Sequence, residues 1–304
     1  MDLNFGVPQG SVLGPLLFLI FINDLPNCVK QSKVVLYADD TALFFANKDV
    51  MTIARVLQEE LNSLNNWFHE NGVIVNCSKT NATVFGTSQR LAKTSRPVLK
   101  MSDLFLPVKE FCKYLGIICY SNLNWHGHID TIASKVSCRL GLLSRIRKYI
   151  IIDVCKHLHN SIIQPLYEYC DIVWSNSDKT YLDRLLRLKK RGVRMIREVS
   201  SEQLSKELGW LPPIARWTFH KCPQVFRCIN GFCPSYLLNL FSHNSDVHSY
   251  NTRERSNIHS NRISSKSGSR SFSYAAAELF NGLPDHVKNS ESMRSFTSNY
   301  WFEK

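Results

Sequence analysis

The chain has 304 residues, of which 44% are hydrophobic and 20% are charged, so it can bury a core and wholesale disorder is excluded. Its net charge of +12 favours a polyanionic partner such as nucleic acid, although solvated lysine-rich faces also make proteins basic. Ten irregularly spaced cysteines without a secretory signal indicate reduced thiols and an intracellular location, in the nucleus or the cytoplasm.

The first predicted element is an apolar helix that follows a turn-rich loop. The loop covers residues 6–10, Ser11 is the predicted N-cap, and the helix runs to about Asp24. Its most apolar part, residues 12–22, has roughly half the length needed to cross a bilayer. We therefore expect a buried element and no membrane span.

Two short apolar runs follow, at residues 34–37 and 41–45. Ala38, Asp39 and Asp40 separate them, which predicts a hairpin with acidic residues at its tip. Fixed carboxylates can bind a hard cation such as Mg²⁺, with water and phosphate oxygens completing the coordination. Taken alone, however, two aspartates at a turn are more often only a turn.

The middle of the chain mixes helix and strand signals. Residues 50–70 have helical periodicity, and Asn71 and Gly72 end that helix. The predicted strands lie at residues 73–75, 83–85 and 114–119, with a hairpin turn at 101–104.

Helices dominate after a predicted domain boundary near Asn122. They are expected at residues 128–147, 154–163, 181–199 and 274–280. Residues 249–273 are rich in serine, arginine and asparagine, which is typical of a linker or a flexible basic arm.

The helix at 181–199 has an apolar face and a basic stripe at helical spacing. The stripe consists of Arg184, Arg187, Arg191 and Arg194. A phosphate backbone is its natural partner, and the competing interpretation is a merely solvated face.

A zinc site is the weaker interpretation of the cysteines and histidines near the carboxyl end. The residues considered are Cys222, Cys228, Cys233, His243 and His248. No close cysteine pair anchors them, so buried thiols and surface histidines are favoured.

Several segments, in order, resemble the reverse transcriptases of non-LTR (LINE, jockey-like) retrotransposons. GVPQGSVLGPLLF at residues 6–18, FINDL at 21–25 and YADDT at 37–41 are similar to motifs B and C. Residues 64–68 and 75–80 resemble motif D, and residues 114–116 resemble the primer-grip motif E. Residues 123–129 resemble the opening of the thumb in this family, and residues 270–284 resemble its carboxy-terminal tail.

The resemblance implies a role for particular residues. Asp39 and Asp40 would hold the metal, and Lys79 would be a proton donor near the pyrophosphate, unless it is only an exposed turn lysine. The pocket for the template base and the incoming nucleotide would be lined by Gly6, Pro8, Gln9, Gly10, Ser11 and Tyr37. The primer terminus would be supported by Tyr114, Leu115 and Gly116, for which a core strand is the alternative.

The implied fold is α/β: a partial right-hand polymerase palm followed by a mainly α-helical thumb and a carboxy-terminal tail. The palm remnant with motifs B to E would span residues 1–121, the thumb 122–248, and the basic arm and tail 249–304. The implied partners are an RNA template, a DNA primer or target and deoxynucleoside triphosphates, with Mg²⁺ or Mn²⁺ as cofactor.

A two-metal site also needs the carboxylate of motif A, which this family carries upstream of motif B. We therefore expect these residues alone to be an incompetent polymerase that binds the cofactor only if that carboxylate is supplied. We also expect exposed apolar surface around residues 12–22 and the hairpin, and association with a second chain that supplies the fingers and motif A. Two hypotheses stay open: a fragment of an RNA-directed DNA polymerase, or a catalytically dead nucleic-acid-binding remnant.

Overall fold

The computed structural model describes residues 6, 10–196, 212–247, 255–260, 262–263 and 265–302. The chain divides into two compact units. The first unit comprises Met1–Cys112 and Tyr120–Asn122, and the second comprises Lys113–Cys119 and Leu123–Lys304. Helices and small two-stranded sheets occur together, which confirms the mixed α/β character predicted from the sequence.

The first unit contains helices and short hairpins. Its helices are α1 (Gly14–Ile22), α2 (Val50–Glu70) and α3 (Ser88–Lys93). Its hairpins are β1–β2 (Lys33–Tyr37 and Asp40–Phe44) and β3–β4 (Lys100–Met101 and Leu104–Phe105). A further hairpin, β5–β6 (Phe111–Tyr114 and Ile117–Tyr120), lies where the chain passes from one unit to the other.

Helix α2 has the bounds that its periodicity predicts. The Asp49 carboxylate accepts hydrogen bonds from the backbone N–H groups of Met51 and Thr52, so it caps two amides of the first turn. Gly72, with a φ of 67°, follows its end. The buried face consists of Val56, Glu60, Leu64, Trp67 and Phe68.

Helix α1 is not the buried element that its composition predicts. Only Gly14 and Ile22 are buried, while Leu16 and Ile20 are 55% and 65% exposed. No element of the described chain covers the outer face of α1. The expectation of exposed apolar surface in this region is confirmed, because Val35 and Phe44 of the hairpin are also exposed.

Some predicted strands are absent from the structure. Residues 73–75 and 83–85 are irregular, because a strand forms only where a second segment supplies hydrogen bonds. Ala82 makes just an isolated bridge with Val108. The predicted strand at 114–119 is wrong, since a turn at residues 115–116 divides it between β5 and β6. The predicted turn at 101–104 is confirmed.

The second unit is helical beyond β6, as the sequence predicts. Its first helices are α4 (His126–Ile146), α5 (Ile152–Leu158), α6 (Gln164–Glu168), α7 (Asp171–Trp174) and α8 (Lys179–Ile196). They are followed by α9 (Pro213–Ile229), α10 (Ser235–Leu238), α11 (Asn244–Val247), α12 (Lys266–Ser269), α13 (Phe272–Asn281), α14 (Asp285–Lys288) and α15 (Met293–Phe302).

Helices α4 and α8 pack along their apolar faces in the larger core. Side chains at a spacing of three to four residues are buried on both: Ile129, Ala133, Val136 and Leu140 on α4, and Leu185, Val193 and Ile196 on α8. Trp174 and Trp217 meet edge to face beside them, with ring centroids 5.3 Å apart. Each large side chain buried in this way contributes about 1.5–3 kcal/mol.

A π-helical turn joins α5 to α6. It covers His159–Ile163, and the N–H of Gln164 bonds to the His159 carbonyl five residues back. The Arg139 guanidinium donates to the Ile162 carbonyl within this turn. The helix predicted at 154–163 is therefore present, with a π turn at its end.

A second core forms between α9, α13 and α15. Its fully buried members include Phe226, Ala276 and Phe296. Ile258 also lies in this core and is 2% exposed, so that part of the predicted linker is packed. No helix within the described ranges has both the length and the apolarity of a bilayer span.

Candidate functional site

The two candidate catalytic aspartates lie at the tip of the β1–β2 hairpin. Tyr37 pairs with Asp40, which leaves Ala38 and Asp39 as a two-residue turn. Ala38 adopts a left-handed conformation with a φ of 51°, as primed hairpin turns require. Asp39 and Asp40 are exposed, and no ion pair or hydrogen bond joins either carboxylate to another described residue. The predicted acidic tip is therefore present and open.

A buried carboxylate holds the chain just before this hairpin. Both oxygens of Glu60, on α2, lie 3.1 Å from the backbone nitrogen of Lys30, and one accepts from the nitrogen of Gln31 at 2.7 Å. Glu60 is 4% exposed. Sequence reasoning missed this residue, although an acid between Val56 and Leu64 on the apolar face of α2 was a visible signal.

The glycine-rich loop precedes α1. Gly6 and Gly10 have φ values of 92° and 84°, with no atom near the position of a Cβ on either, so the backbone there is accessible. Ser11 lies before the helix rather than at its N-cap, which is Leu13, but its Oγ accepts from the Gly14 nitrogen at 3.1 Å. Pro8 and Gln9 lie outside the described residues.

Lys79 lies in a polar turn that follows α2. The side-chain oxygen of Asn76 accepts from the hydroxyl of Ser78 at 2.6 Å and from the backbone nitrogen of Lys79 at 3.3 Å. The Lys79 side chain is exposed. Within the described chain no hydrogen bond or ion pair links Lys79 to either hairpin aspartate.

Metal ligands do not cluster in the described part of the chain. No group of three histidine, cysteine, aspartate or glutamate residues is placed to hold an ion there. Cys228 and Cys233 lie near each other, with sulfur atoms 3.6 Å apart, and burial raises the pKa of the Cys228 thiol. The alternative of a zinc site thus gains no support, and His248 lies outside the described residues.

The candidate primer grip is a tight turn rather than a strand. Leu115 and Gly116 have φ values of 44° and 81° and connect β5 to β6. The Leu115 carbonyl accepts a hydrogen bond from the hydroxyl of Tyr169 at 2.6 Å. Tyr169 was missed, because no local pattern predicts a contact between residues 54 positions apart.

The four arginines of the predicted stripe are all exposed on α8. Arg184, Arg187 and Arg191 line one side of an open groove of about 540 Å³. Helix α4 forms the other side with Ser134, Ser137 and Cys138, among others. Arg184 is ion-paired with Asp130, so part of its charge is neutralised.

The opposite face of α8 carries a buried lysine. Lys189 is 6% exposed and donates to the side-chain oxygen of Gln164. Burial, followed by the charge of Arg216, lowers its pKa to about 7. Lys189 therefore points into the core, whereas the four arginines of the stripe are exposed on α8.

Comparison with known proteins identifies the amino-terminal part of the chain. A model of the reverse transcriptase (RNA-dependent DNA polymerase) family matches residues 3–119. This segment belongs to the reverse transcriptase family. The hairpin with Asp39 and Asp40, Lys79 and the turn at 115–116 lie inside the reverse transcriptase segment, whereas α8 lies beyond it.

Two relatives of the chain are named as RNA-directed DNA polymerases of mobile elements. The chain is 30% identical over 202 residues to a probable RNA-directed DNA polymerase from transposon BS, and 27% identical over 201 residues to the RNA-directed DNA polymerase from mobile element jockey, both of Drosophila melanogaster. These matches cover 63% of this chain and 22% of each relative.

A third relative is the retrovirus-related Pol polyprotein from type-1 retrotransposable element R1 2 of Nasonia vitripennis. It is 25% identical, over 68% of this chain and 54% of its own length. No solved structure matches the chain. The resemblance to non-LTR retrotransposon reverse transcriptases is confirmed. The chain spans about a fifth of the length of the first two relatives.

Proposed function

We propose that this chain forms the part of a non-LTR retrotransposon RNA-directed DNA polymerase that runs from motif B to the tail. Residues 1–121 would belong to the palm, 122–248 to the thumb, and 249–304 to a basic arm and tail. The observation that carries the proposal is the pair Asp39 and Asp40, exposed at a hairpin tip inside the reverse transcriptase segment. The substrates would be an RNA template, a DNA primer or target and deoxynucleoside triphosphates.

Asp39 and Asp40 are the residues that would hold Mg²⁺ or Mn²⁺. The donor set fits, because carboxylate oxygens suit a hard cation and these two are open to water and phosphate. A bound divalent ion would neutralise charge on the transferred phosphoryl group and activate the primer hydroxyl. The hairpin would contribute by fixing the backbone that carries the two carboxylates before the substrate arrives.

Other residues of the segment would contact the nucleotide and the primer. Accessible backbone at Gly6 and Gly10 would let the template base and the nucleotide approach closely, beside Pro8, Gln9, Ser11 and Tyr37. Lys79 would donate a proton near the pyrophosphate. Tyr114, Leu115 and Gly116 would support the primer terminus.

The first experiment is Mn²⁺ binding, measured by electron paramagnetic resonance with primer, RNA template and a second chain that supplies the fingers and the motif A carboxylate. The double variant Asp39→Asn, Asp40→Asn is compared with Asp103→Asn, an aspartate at the tip of β3–β4. The double variant should lose bound Mn²⁺, and Asp103→Asn should keep it. Equal binding by both would overturn the assignment of the two carboxylates.

Primer extension on the RNA template tests the remaining expectation, that these 304 residues do not polymerise by themselves. Wild type and both variants should then give no product. Extension that the double variant loses and Asp103→Asn retains would contradict the expected inactivity while supporting Asp39 and Asp40 as catalytic.

A second candidate function is nucleic-acid binding through α8, independent of catalysis. It is favoured by the exposed arginines that line the α4–α8 groove. Arg187→Gln should lower the slope of log affinity against log salt concentration by about 1, because one phosphate contact is lost. Arg227→Gln, on the exposed side of α9, is the matched control and should leave the slope unchanged. Binding that is also indifferent to the double aspartate variant, without synthesis, would favour this function alone.

A further inference from the structure

The turn between β5 and β6 is held in a conformation that its first residue disfavours. Both Leu115 and Gly116 have positive φ, and a leucine in the left-handed region is uncommon because its Cβ crowds the following carbonyl. Such a conformation persists where the surrounding structure fixes it.

Tyr169 provides that support from the end of α6. Its hydroxyl donates to the Leu115 carbonyl at 2.6 Å. Its ring also lies against the turn, since a Cβ built on Gly116 would be 3.3 Å from the Tyr169 Cε1 atom. Glycine is therefore favoured at position 116 for two reasons: it adopts a φ of 81° without strain, and its lack of a Cβ leaves room for the Tyr169 ring.

The backbone around Tyr169 is itself fixed by two core tryptophans. The Trp174 indole N–H donates to the Tyr169 carbonyl at 2.9 Å, and the Trp217 indole N–H donates to the Tyr167 carbonyl at 2.8 Å. Trp174 is fully buried, whereas Tyr169 is 54% exposed. The exposed Tyr169 side chain therefore contacts the turn from a backbone segment that two core tryptophans hold in place.

We propose that Tyr169 is a positioning residue for the primer 3′ terminus, acting through the Leu115 carbonyl that it fixes. The proposal rests on the proposed function, in which this turn supports the primer. Under the proposed function the chain must recognise the 3′ end of the primer. The Tyr169 hydroxyl, at the end of α6, is hydrogen-bonded to the turn and can therefore keep the turn in one position. Phosphate contacts elsewhere would supply the general affinity.

The test compares the affinity of the full chain for a DNA primer recessed on an RNA template with its affinity for a continuous DNA–RNA duplex of equal length. Fluorescence anisotropy gives both values, and 2-aminopurine at the primer 3′ nucleotide reports how that base is held. Tyr169→Phe removes only the hydroxyl and keeps the ring. Tyr149→Phe, at an 85% exposed tyrosine, is the matched control.

Tyr169→Phe should lower the preference for the recessed terminus about 2- to 10-fold, the value of one neutral hydrogen bond, and should change the 2-aminopurine signal. Affinity for the continuous duplex should stay the same, and so should the far-UV circular dichroism spectrum. Gly116→Ala should also lower this preference, because alanine is strained at a φ of 81° and its Cβ would lie 3.3 Å from the Tyr169 ring. Tyr149→Phe should match wild type.

The outcomes separate this inference from the proposed function. If the wild-type chain does not prefer a recessed terminus, both the assignment of the turn as a primer grip and the proposed role of Tyr169 are overturned. A wild-type preference that Tyr169→Phe retains in full would overturn only the role of Tyr169. Equal loss of affinity for both nucleic acids would also overturn it, since that result indicates general structural damage.

Discussion

The two units differ in how fully they bury their apolar side chains. In the second unit Trp174, Ile129 and Leu185 are completely inaccessible to solvent. In the first unit α1 exposes most of its large side chains, and the hairpin with Asp39 and Asp40 exposes Val35 and Phe44. The side chains of the larger core and the two carboxylates proposed to hold a metal ion therefore lie in different units.

Because of this difference in burial, the two units should respond differently to the same kind of substitution. Core truncations should act strongly in the second unit. The first unit should depend on a few specific contacts, and changes on the outer face of α1 should alter association rather than stability. The following predictions test that contrast.

The largest effect is expected for Trp174→Ala. This variant removes a fully buried ring, its contact with Trp217 and the hydrogen bond to the Tyr169 carbonyl, so the second unit should lose about 3–5 kcal/mol of stability. Urea unfolding followed by circular dichroism measures the loss. Leu142→Ala, at a 54% exposed position on α4, is the control and should change stability by less than about 0.5 kcal/mol.

Acid should destabilise the second unit through His159. Burial, and then the charge of Lys189, lowers the pKa of His159 to about 3 from an ordinary value of 6.5. Between these pH values the unfolded chain binds a proton that the folded chain does not. Stability is therefore complete above about pH 6.5 and falls as the pH approaches 3, by an amount on the order of 5 kcal/mol.

Unfolding measured in urea at pH 7, 5.5 and 4.5 would reveal this dependence. His159→Leu should lessen it without abolishing it, because burial also lowers the pKa of His128, to about 4. His157→Leu, at an exposed position two residues earlier, should leave it in place. An unchanged slope in His159→Leu would show that other groups cause the acid sensitivity.

Glu60 is a buried residue of the first unit at which a substitution should reduce stability substantially. Glu60→Ala leaves the backbone amides of Lys30 and Gln31 without their acceptor, at a cost of about 1–3 kcal/mol. Hydrogen exchange should accelerate at these amides and along β1–β2. The neighbouring Glu59 is exposed and forms an ion pair with Arg55, so Glu59→Ala should cost about 0.5 kcal/mol or less. Similar exchange in both variants would contradict the role of Glu60.

The smallest change in stability is expected on the outer face of α1. Leu16→Glu with Ile20→Glu should alter stability by about 0.5 kcal/mol or less, because both side chains are more than half exposed. The same variant should associate less, as sedimentation velocity would detect. Ile22→Glu is the contrasting variant, since it places a carboxylate at a 7% exposed position and should unfold the first unit.

Sequence patterns correctly predicted the elements that are formed by interactions between residues close together in the sequence. Helix α2 and the acidic hairpin follow from periodicity and turn chemistry, and both have the predicted positions. Predictions that depended on distant partners were wrong. Residues 73–75 lack a partner strand, α1 lacks a covering layer in the described chain, and Leu115 takes a positive φ that few leucines adopt.

The candidate site shows the same limit. The sequence predicts that Asp39 and Asp40 share a tip, because they are adjacent and flanked by apolar runs. It does not reveal that Glu60 holds the chain before β1 or that Tyr169 reaches Leu115. These contacts join residues 30 and 54 positions apart and are determined by tertiary packing.

The π turn at His159–Ile163 constrains how this region can vary in length during evolution. A π turn holds one residue more than an α-helical turn, so deleting a residue there would restore a regular α-helix. The π turn accommodates the extra residue locally, so the residues that follow the deletion would keep nearly the same orientation around the helix axis. The Tyr169 hydroxyl would then still face the Leu115 carbonyl. A single-codon deletion within this turn should therefore be less damaging than one within α4, where each residue removed rotates the rest of the helix by about 100°.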